Sequence, residues 1–241
     1  ELEVWALLAR AATLNELGRP SEAALVCERA AKAGEASDVF HFAAHLIAEQ
    51  GGATTELPEP SGEDARLDFH RWGLVPSWAD EKLLTYNLIN ARGETAAEKP
   101  SFRNSFRHRR CLIPADGFYE WKQTGKDSPK RPYYIHKRDQ SPFALGGLWE
   151  IWQPPDGSQL RSACIITTPP NTLVEPIHNR MPLILDPEDY AGWLDPEVQD
   201  PDKIQPWIKP YAGNDLEAYP VSTYVNNPRH NAPQCIEPLE Q

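Results

Sequence analysis

Three side chains in this sequence could move a proton or orient a reacting group. They are Asn90 in "LINARGET" (88–95), Glu120 in "LIPADGFYEW" (112–121) and His178 in "PIHNRMPLIL" (176–185). Asn90 offers an oriented amide, Glu120 a carboxylate for proton transfer, and His178 a group that titrates near neutrality. Asn90 stands 30 residues from Glu120, and Glu120 stands 58 from His178, so only a fold can bring them together. Glu120 is the most conspicuous, an acid between Tyr119 and Trp121 just after the apolar run "CLIPA". Carboxylates are usually exposed unless paired, whereas aromatics seek burial. Glu120 is therefore either a salt-bridged acid at a strand edge or a carboxylate whose protonation is tuned for chemistry. Asn90 and His178 have ordinary alternatives too, as an Asx cap and a hydrogen-bonded structural histidine. Arg92 and Arg180 flank the same blocks, and "RWGLVPSWAD" (71–80) sets Trp72 and Trp78 around a Gly/Pro turn.

The elements that must position these residues change character along the chain. From residue 66 onward, short β-rich runs ("PYYIHKR", "FALGGLWEIW", "SACIITT", "MPLIL") alternate with turns. Helical stretches are expected at 95–109, at about 187–194 and at 203–208. Strands at irregular spacing with few peripheral helices predict an α+β fold, mainly antiparallel. Polar residues at strand ends are a common way to build a site on a rigid scaffold.

Residues 1–50 read as a helical segment resembling a single tetratricopeptide-type repeat. Its first helix closes at Gly18 and Pro20, and its second runs from Ser21 as N-cap to Gly34. A third is expected in "ASDVFHFAAHLIAEQ", where His41 and His45 read as two ordinary helix histidines, because no third ligand accompanies them. "GGATTELPEPSGEDA" (51–65) reads as a linker or exposed loop, which leaves 66–241 as the main domain.

Net charge is −11, which argues against a broad electropositive face. One run departs from this balance: "KPSFRNSFRHRR" (99–110) carries five Lys and Arg residues and no acid. With Phe102 and Phe106 turned to a core, its arginines would point outward, either as a solvated face or as a surface for phosphates. The four cysteines (Cys27, Cys111, Cys164, Cys235) are far apart and form no CxxC pair, which favours buried thiols over disulfides and a reducing compartment. No apolar run reaches the roughly 18 residues of a membrane span. The chain opens without a signal-peptide pattern, and its start at Glu1 suggests a fragment or a processed protein.

Together these blocks, with "AEKPSFRNSFRHRRCLIPADGFYEW" and "YPVSTYVNNPRHNAPQCIEPL", resemble the SRAP family over about residues 66–240. These are the SOS-response-associated peptidases, also called abasic site processing proteins. The resemblance implies a barrel-like α+β fold with a groove for single-stranded DNA bearing abasic sites. It implies a covalent DNA–protein crosslink that shields the lesion, self-processing peptidase activity, and no cofactor or metal. It assigns Asn90 to positioning the sugar, Glu120 to proton shuttling and His178 to protonating the sugar oxygen. Arg92 and Arg180 would hold flanking phosphates with Thr167 in support, and Trp78 and Trp72 would offer aromatic faces to the unstacked nucleotide. The basic run then becomes a DNA-facing edge. A monomer is expected, cytoplasmic and at the bacterial nucleoid on damage, away from membranes, with protein contacts through the N-terminal helices.

In that family the nucleophile is an N-terminal Cys within Met-Cys-Gly-Arg, followed soon by a motif resembling "RYNIAPTQ". Neither occurs here, and the helical segment stands where the family's first strands are expected. Cys27 cannot substitute, because its nitrogen is an amide. The alternative expectation is a catalytically inactive single-stranded-DNA-binding module.

Overall fold

The computed structural model describes residues 70–80, 88–126, 128–230 and 232–239. The expected helices at 1–50, the loop at 51–65, Cys27 and the His41/His45 pair lie outside the described residues. In chain order the strands are β1 (Arg71–Trp72), β2 (Asn90–Arg92), β3 (Arg110–Ala115), β4 (Phe118–Lys122) and β5 (Arg131–Lys137). They continue with β6 (Phe143–Trp152), β7 (Leu160–Thr168), β8 (Met181–Pro182), β9 (Ile184–Leu185) and β10 (Leu216–Pro220). The chain divides into two compact units, one holding residues 1–89 and 149–164 and the other 90–148 and 165–241.

In the first unit β1 pairs in parallel with the start of β7, Arg71 opposite Ser162 and Trp72 opposite Ala163. Gly73 follows at φ +114°, a conformation side-chain-bearing residues rarely adopt, and its N–H donates to Ala163 O. This turn sends Val75 and Ala79 inward against Trp152, whose indole N–H donates to Ala79 O at 2.7 Å.

The second unit carries two sheets. In one, β2 runs parallel to the end of β7, and β3 runs antiparallel to β6 from Arg110–Leu148 to Ala115–Phe143. The run "MPLIL" is inserted between β7 and β6: β8 pairs with β7, β9 pairs with β6, and Leu183 bonds to Ile166 O and Gly146 N. Its residues are continuously apolar because both faces are buried, as both neighbouring strands require. In the other sheet β4, β5 and β10 form an antiparallel ladder in the order β10-β5-β4. Ile135, Leu216, Phe118, Tyr133 and Ala218 of this ladder pack with Phe143, Leu145, Met181 and Ile184 in one apolar core. Each fully buried Leu, Ile or Met in such a core contributes roughly 1.5–3 kcal/mol.

Strands and short helices in these proportions make an α+β fold, as expected. The pairings among the described residues close no barrel. The helix expected at 95–109 is two, Gly93–Ala96 and Arg103–His108, with Pro100 between them, a residue that lacks an N–H and disfavours the helical region at the position before it. At 187–194 a 3-10 turn, Pro187–Asp189, leads into the helix Tyr190–Leu194, and at 201–207 Pro201–Ile204 leads into Gln205–Trp207. Cys111 and Cys235 are free thiols and Cys164 is wholly buried.

Candidate proton-transfer site and its arginine clamp

Alternation along β4 decides what surrounds Glu120. Phe118 and Glu120 point to one side of the ladder, Tyr119 and Trp121 to the other. Phe118 faces the core, so Glu120 opens onto the margin of that core beside Tyr133, its cross-strand partner. Its sequence neighbours form a separate aromatic row, with Tyr119–Tyr134 at 5.3 Å and Tyr134–Tyr219 at 5.9 Å between ring centres. The C-terminal segment lies over that row: Trp121 donates to Asn226 Oδ1 at 2.8 Å and Tyr219 donates to Ile236 O at 2.8 Å. The acid is therefore desolvated by the core face and not by the two rings that flank it in sequence.

Burial lifts the Glu120 carboxyl above its ordinary value, opposed more weakly by His178 and by the Lys130 ammonium. The partner is His178, whose Nδ1 lies 3.2 Å from Glu120 Oε2. Nδ1 also lies 3.1 Å from Arg180 O and 3.3 Å from Arg180 N. With a proton on Nδ1, the ring can donate to Arg180 O or to the carboxylate. With a lone pair there, it can accept from Arg180 N–H or from a protonated Glu120. Both protonation states thus have partners, which suits a pair that passes a proton back and forth. The His178 backbone N–H donates to Val174 O at 2.9 Å, which fixes the main chain at His178 in the turn that precedes β8.

A second cluster surrounds Arg180. Its guanidinium donates to both oxygens of Glu94, at 2.6 and 3.0 Å, and to Thr167 O at 2.5 Å and Thr167 Oγ1 at 3.1 Å. Register brings these groups together: Arg92 lies opposite Thr167 across the β2–β7 pair, and Glu94 follows in the first turn of Gly93–Ala96. Gly93 permits the approach, since a Cβ there would clash with Ile208 Cγ2 and sit 3.3 Å from Thr167 O. The guanidinium holds Glu94 below its usual value, with Arg92 adding to the effect.

The expected residues are therefore partly assembled. Glu120 meets His178, and Arg180 meets Thr167. Asn90 is exposed at the head of β2, opposite Ile165, and makes no hydrogen bond to Glu120 or His178. Arg92 is exposed in the same strand. Trp72 and Trp78 belong to the other unit and are 60% and 59% exposed, large apolar rings held in solvent. The Trp72 indole N–H donates to Ile89 O at 3.1 Å.

The basic run divides as well. Arg103 and Arg107 are exposed, but Arg110 is buried, with its guanidinium donating to Trp193 O, Asp195 O, Phe106 O and Arg107 O at 2.7–3.0 Å. Arg110 is a structural staple and does not belong to a DNA-facing edge. Sequence reasoning passed over Glu94 and Lys130. The available signal for Glu94 was an acid two residues after Arg92, aligned with the strand that carries Thr167. Among the described residues no three His, Cys, Asp or Glu side chains gather as a metal site, and no helix is long and apolar enough to cross a membrane.

Comparison with known proteins places the chain. It is 48% identical over 176 residues to the abasic site processing protein YoqW of Bacillus subtilis, covering 73% of this chain and 78% of the relative. It is 37% identical to the abasic site processing protein HMCES of Xenopus tropicalis, covering 69% of this chain and 55% of that longer protein. Among solved structures, a protein from Bacteroides thetaiotaomicron superposes with a TM-score of 0.67 at 31% identity, covering 73% of this chain and 78% of that one. One from Bordetella bronchiseptica superposes at 0.56 and 27% identity, covering 64% and 76%. The family described as SOS response associated peptidase (SRAP) matches residues 20–228, and the chain belongs to it.

Proposed function

We propose that this chain is an abasic site processing protein, acting on abasic sites in single-stranded DNA and shielding them through a covalent crosslink. The observation that carries this reading is the pair formed by Glu120 and His178, a partly desolvated carboxyl 3.2 Å from an imidazole. Its support is the 48% identity to a protein named for that activity.

The chemistry asks for proton movements that such a pair can make. Protonation of the sugar ring oxygen, assigned to His178, with loss of the anomeric hydroxyl proton, breaks the ring C–O bond and opens the ring to an aldehyde. An α-amine with a pKa of about 8 keeps a neutral fraction that adds to the aldehyde carbon. One N–H proton passes to the aldehyde oxygen to give a carbinolamine, and the second leaves nitrogen as the hydroxyl departs as water, giving an imine; Glu120 is assigned to carry these protons from nitrogen to oxygen. A thiol on the same residue then adds to the imine carbon, its proton passes to nitrogen, and a thiazolidine closes with the advantage of a tethered reactant. Asn90 is assigned to the sugar, Arg92, Arg180 and Thr167 to flanking phosphates, and Trp72 and Trp78 to the unstacked base. We assign the peptidase activity in the family's description to processing of the chain's own N-terminal region.

The family's attacking Cys follows Met in a Met-Cys-Gly-Arg run, which does not occur in these 241 residues. The described thiols are unsuited to replace it: burial pushes Cys111 up to about 12, and Cys164 and Cys235 are buried. The second reading, a module that grips single-stranded DNA without crosslinking it, rests on the burial of the described thiols. The experiment supplies the missing group in solution. A Cys-Gly-Arg tripeptide, an abasic oligonucleotide and the full chain are mixed, and heat-stable peptide–DNA adduct is followed on a denaturing gel. Acceleration over the chain-free reaction is expected. Tight binding of the oligonucleotide without acceleration would leave the binding module.

A further inference from the structure

We propose that Glu94 acts as an internal stand-in for a DNA phosphate on Arg180, and that a phosphodiester takes this guanidinium only by displacing the carboxylate. The inference rests on the assignment of Arg180 to a flanking phosphate.

Arginine recognises carboxylate and phosphate through the same planar fork of two N–H groups. On Arg180 that fork is filled: Nη1 and Nη2 each donate to one oxygen of Glu94, at 2.6 and 3.0 Å. The remaining edge is not open to a strand. Nη2 is also engaged by Thr167, and Nε is buried without a hydrogen-bond partner. The Arg180 side chain is 21% exposed, whereas Glu94 is 42% exposed and lies on the solvent side of the pair. A phosphate arriving from solvent therefore meets Glu94 first.

Glu94 is not needed to hold the guanidinium in place. Thr167 does so with a carbonyl and a hydroxyl, near the end of β7 where that strand is paired with β2 on one side and β8 on the other. What Glu94 adds is charge: it cancels the Arg180 cation and stands within the field of Arg92. The consequence is selectivity. An intact strand gains little from Arg180 after the carboxylate has been displaced, so residence on undamaged DNA stays short. A strand with an abasic site is retained by the covalent step.

The test measures binding of an undamaged oligothymidylate by the full chain at several salt concentrations, for the parent, E94Q, E94A, R180A and E94Q/R180A. E94Q and E94A should bind about two- to fivefold more tightly, the scale of an exposed ion pair. Their slope of log affinity against log salt should steepen by up to about 0.7, one phosphate on a single strand. The gain should vanish in the R180A background. Weaker binding by both Glu94 variants would overturn the proposal by making Glu94 a support for Arg180. An equal gain with and without Arg180 would overturn it as a general charge effect. If E94Q/R180A binds as tightly as E94Q alone, Arg180 touches no phosphate even when freed, and the phosphate assignment and the proposal fail together. If R180A weakens binding and E94Q brings no gain, only the proposal fails.

Discussion

At the scale of single residues, the protonation of Glu120 carries the most weight. Burial raises its carboxyl above 4.5, so the fold disfavours the ionised form. Its contribution to stability is then full below that value and is lost as pH rises through the raised folded value. Glu120→Gln, which cannot ionise, should melt at or above the parent at about pH 8, with the difference closing in acid. Thermal melts across this range check the sign, and a parent that melts higher at alkaline pH would mean that the His178 contact outweighs burial. Glu94 has the opposite sign. Its lowered value stabilises the fold above 4.5, and that contribution fades as pH falls through the folded value. Glu120 was legible in the sequence as an acid set into an apolar run, but the reason for its desolvation was not. Only the strand register shows that Tyr119 and Trp121 turn away and that the core margin does the burying. Its partnership with His178, 58 residues on, depends on the threading of 181–185 between two strands, which no local pattern encodes.

At the scale of elements, two substitutions separate structural roles from binding roles. Gly93→Ala would drive a Cβ against Ile208 and the Thr167 carbonyl, and should cost about 1–3 kcal/mol by overpacking, read from urea midpoints. Arg110→Ala would strand buried carbonyls of Trp193 and Phe106 and should cost about 3 kcal/mol or more. Arg110→Lys should recover little, because one ammonium cannot reproduce the fork. Arg103→Ala with Arg107→Ala should leave the melting midpoint nearly unchanged, and lower the salt slope of DNA binding if either touches phosphate. The long strands were readable because their runs are long and β-branched or aromatic: "FALGGLWEIW" is the strand Phe143–Trp152, residue for residue. The basic run was misread as one helix with all its arginines outward. Pro100 breaks it, and Arg110 belongs to the strand that follows, where the carbonyls at the end of Tyr190–Leu194 draw its side chain inward.

At the scale of the whole molecule, a chain of net charge −11 binds a polyanion only through local groups, so its affinity for single strands should depend on few phosphates and remain modest. The proposed function places proton transfer on the Glu120–His178 pair and not on the strength of that grip. The most direct test is the rate of peptide–DNA adduct formation on an abasic oligonucleotide saturated with the full chain, compared between the parent, Glu120→Gln and His178→Ala. Each variant should lose about a hundredfold or more of the acceleration, the usual scale of a general acid–base group, while the oligonucleotide stays bound. Undiminished acceleration in both variants would contradict that placement.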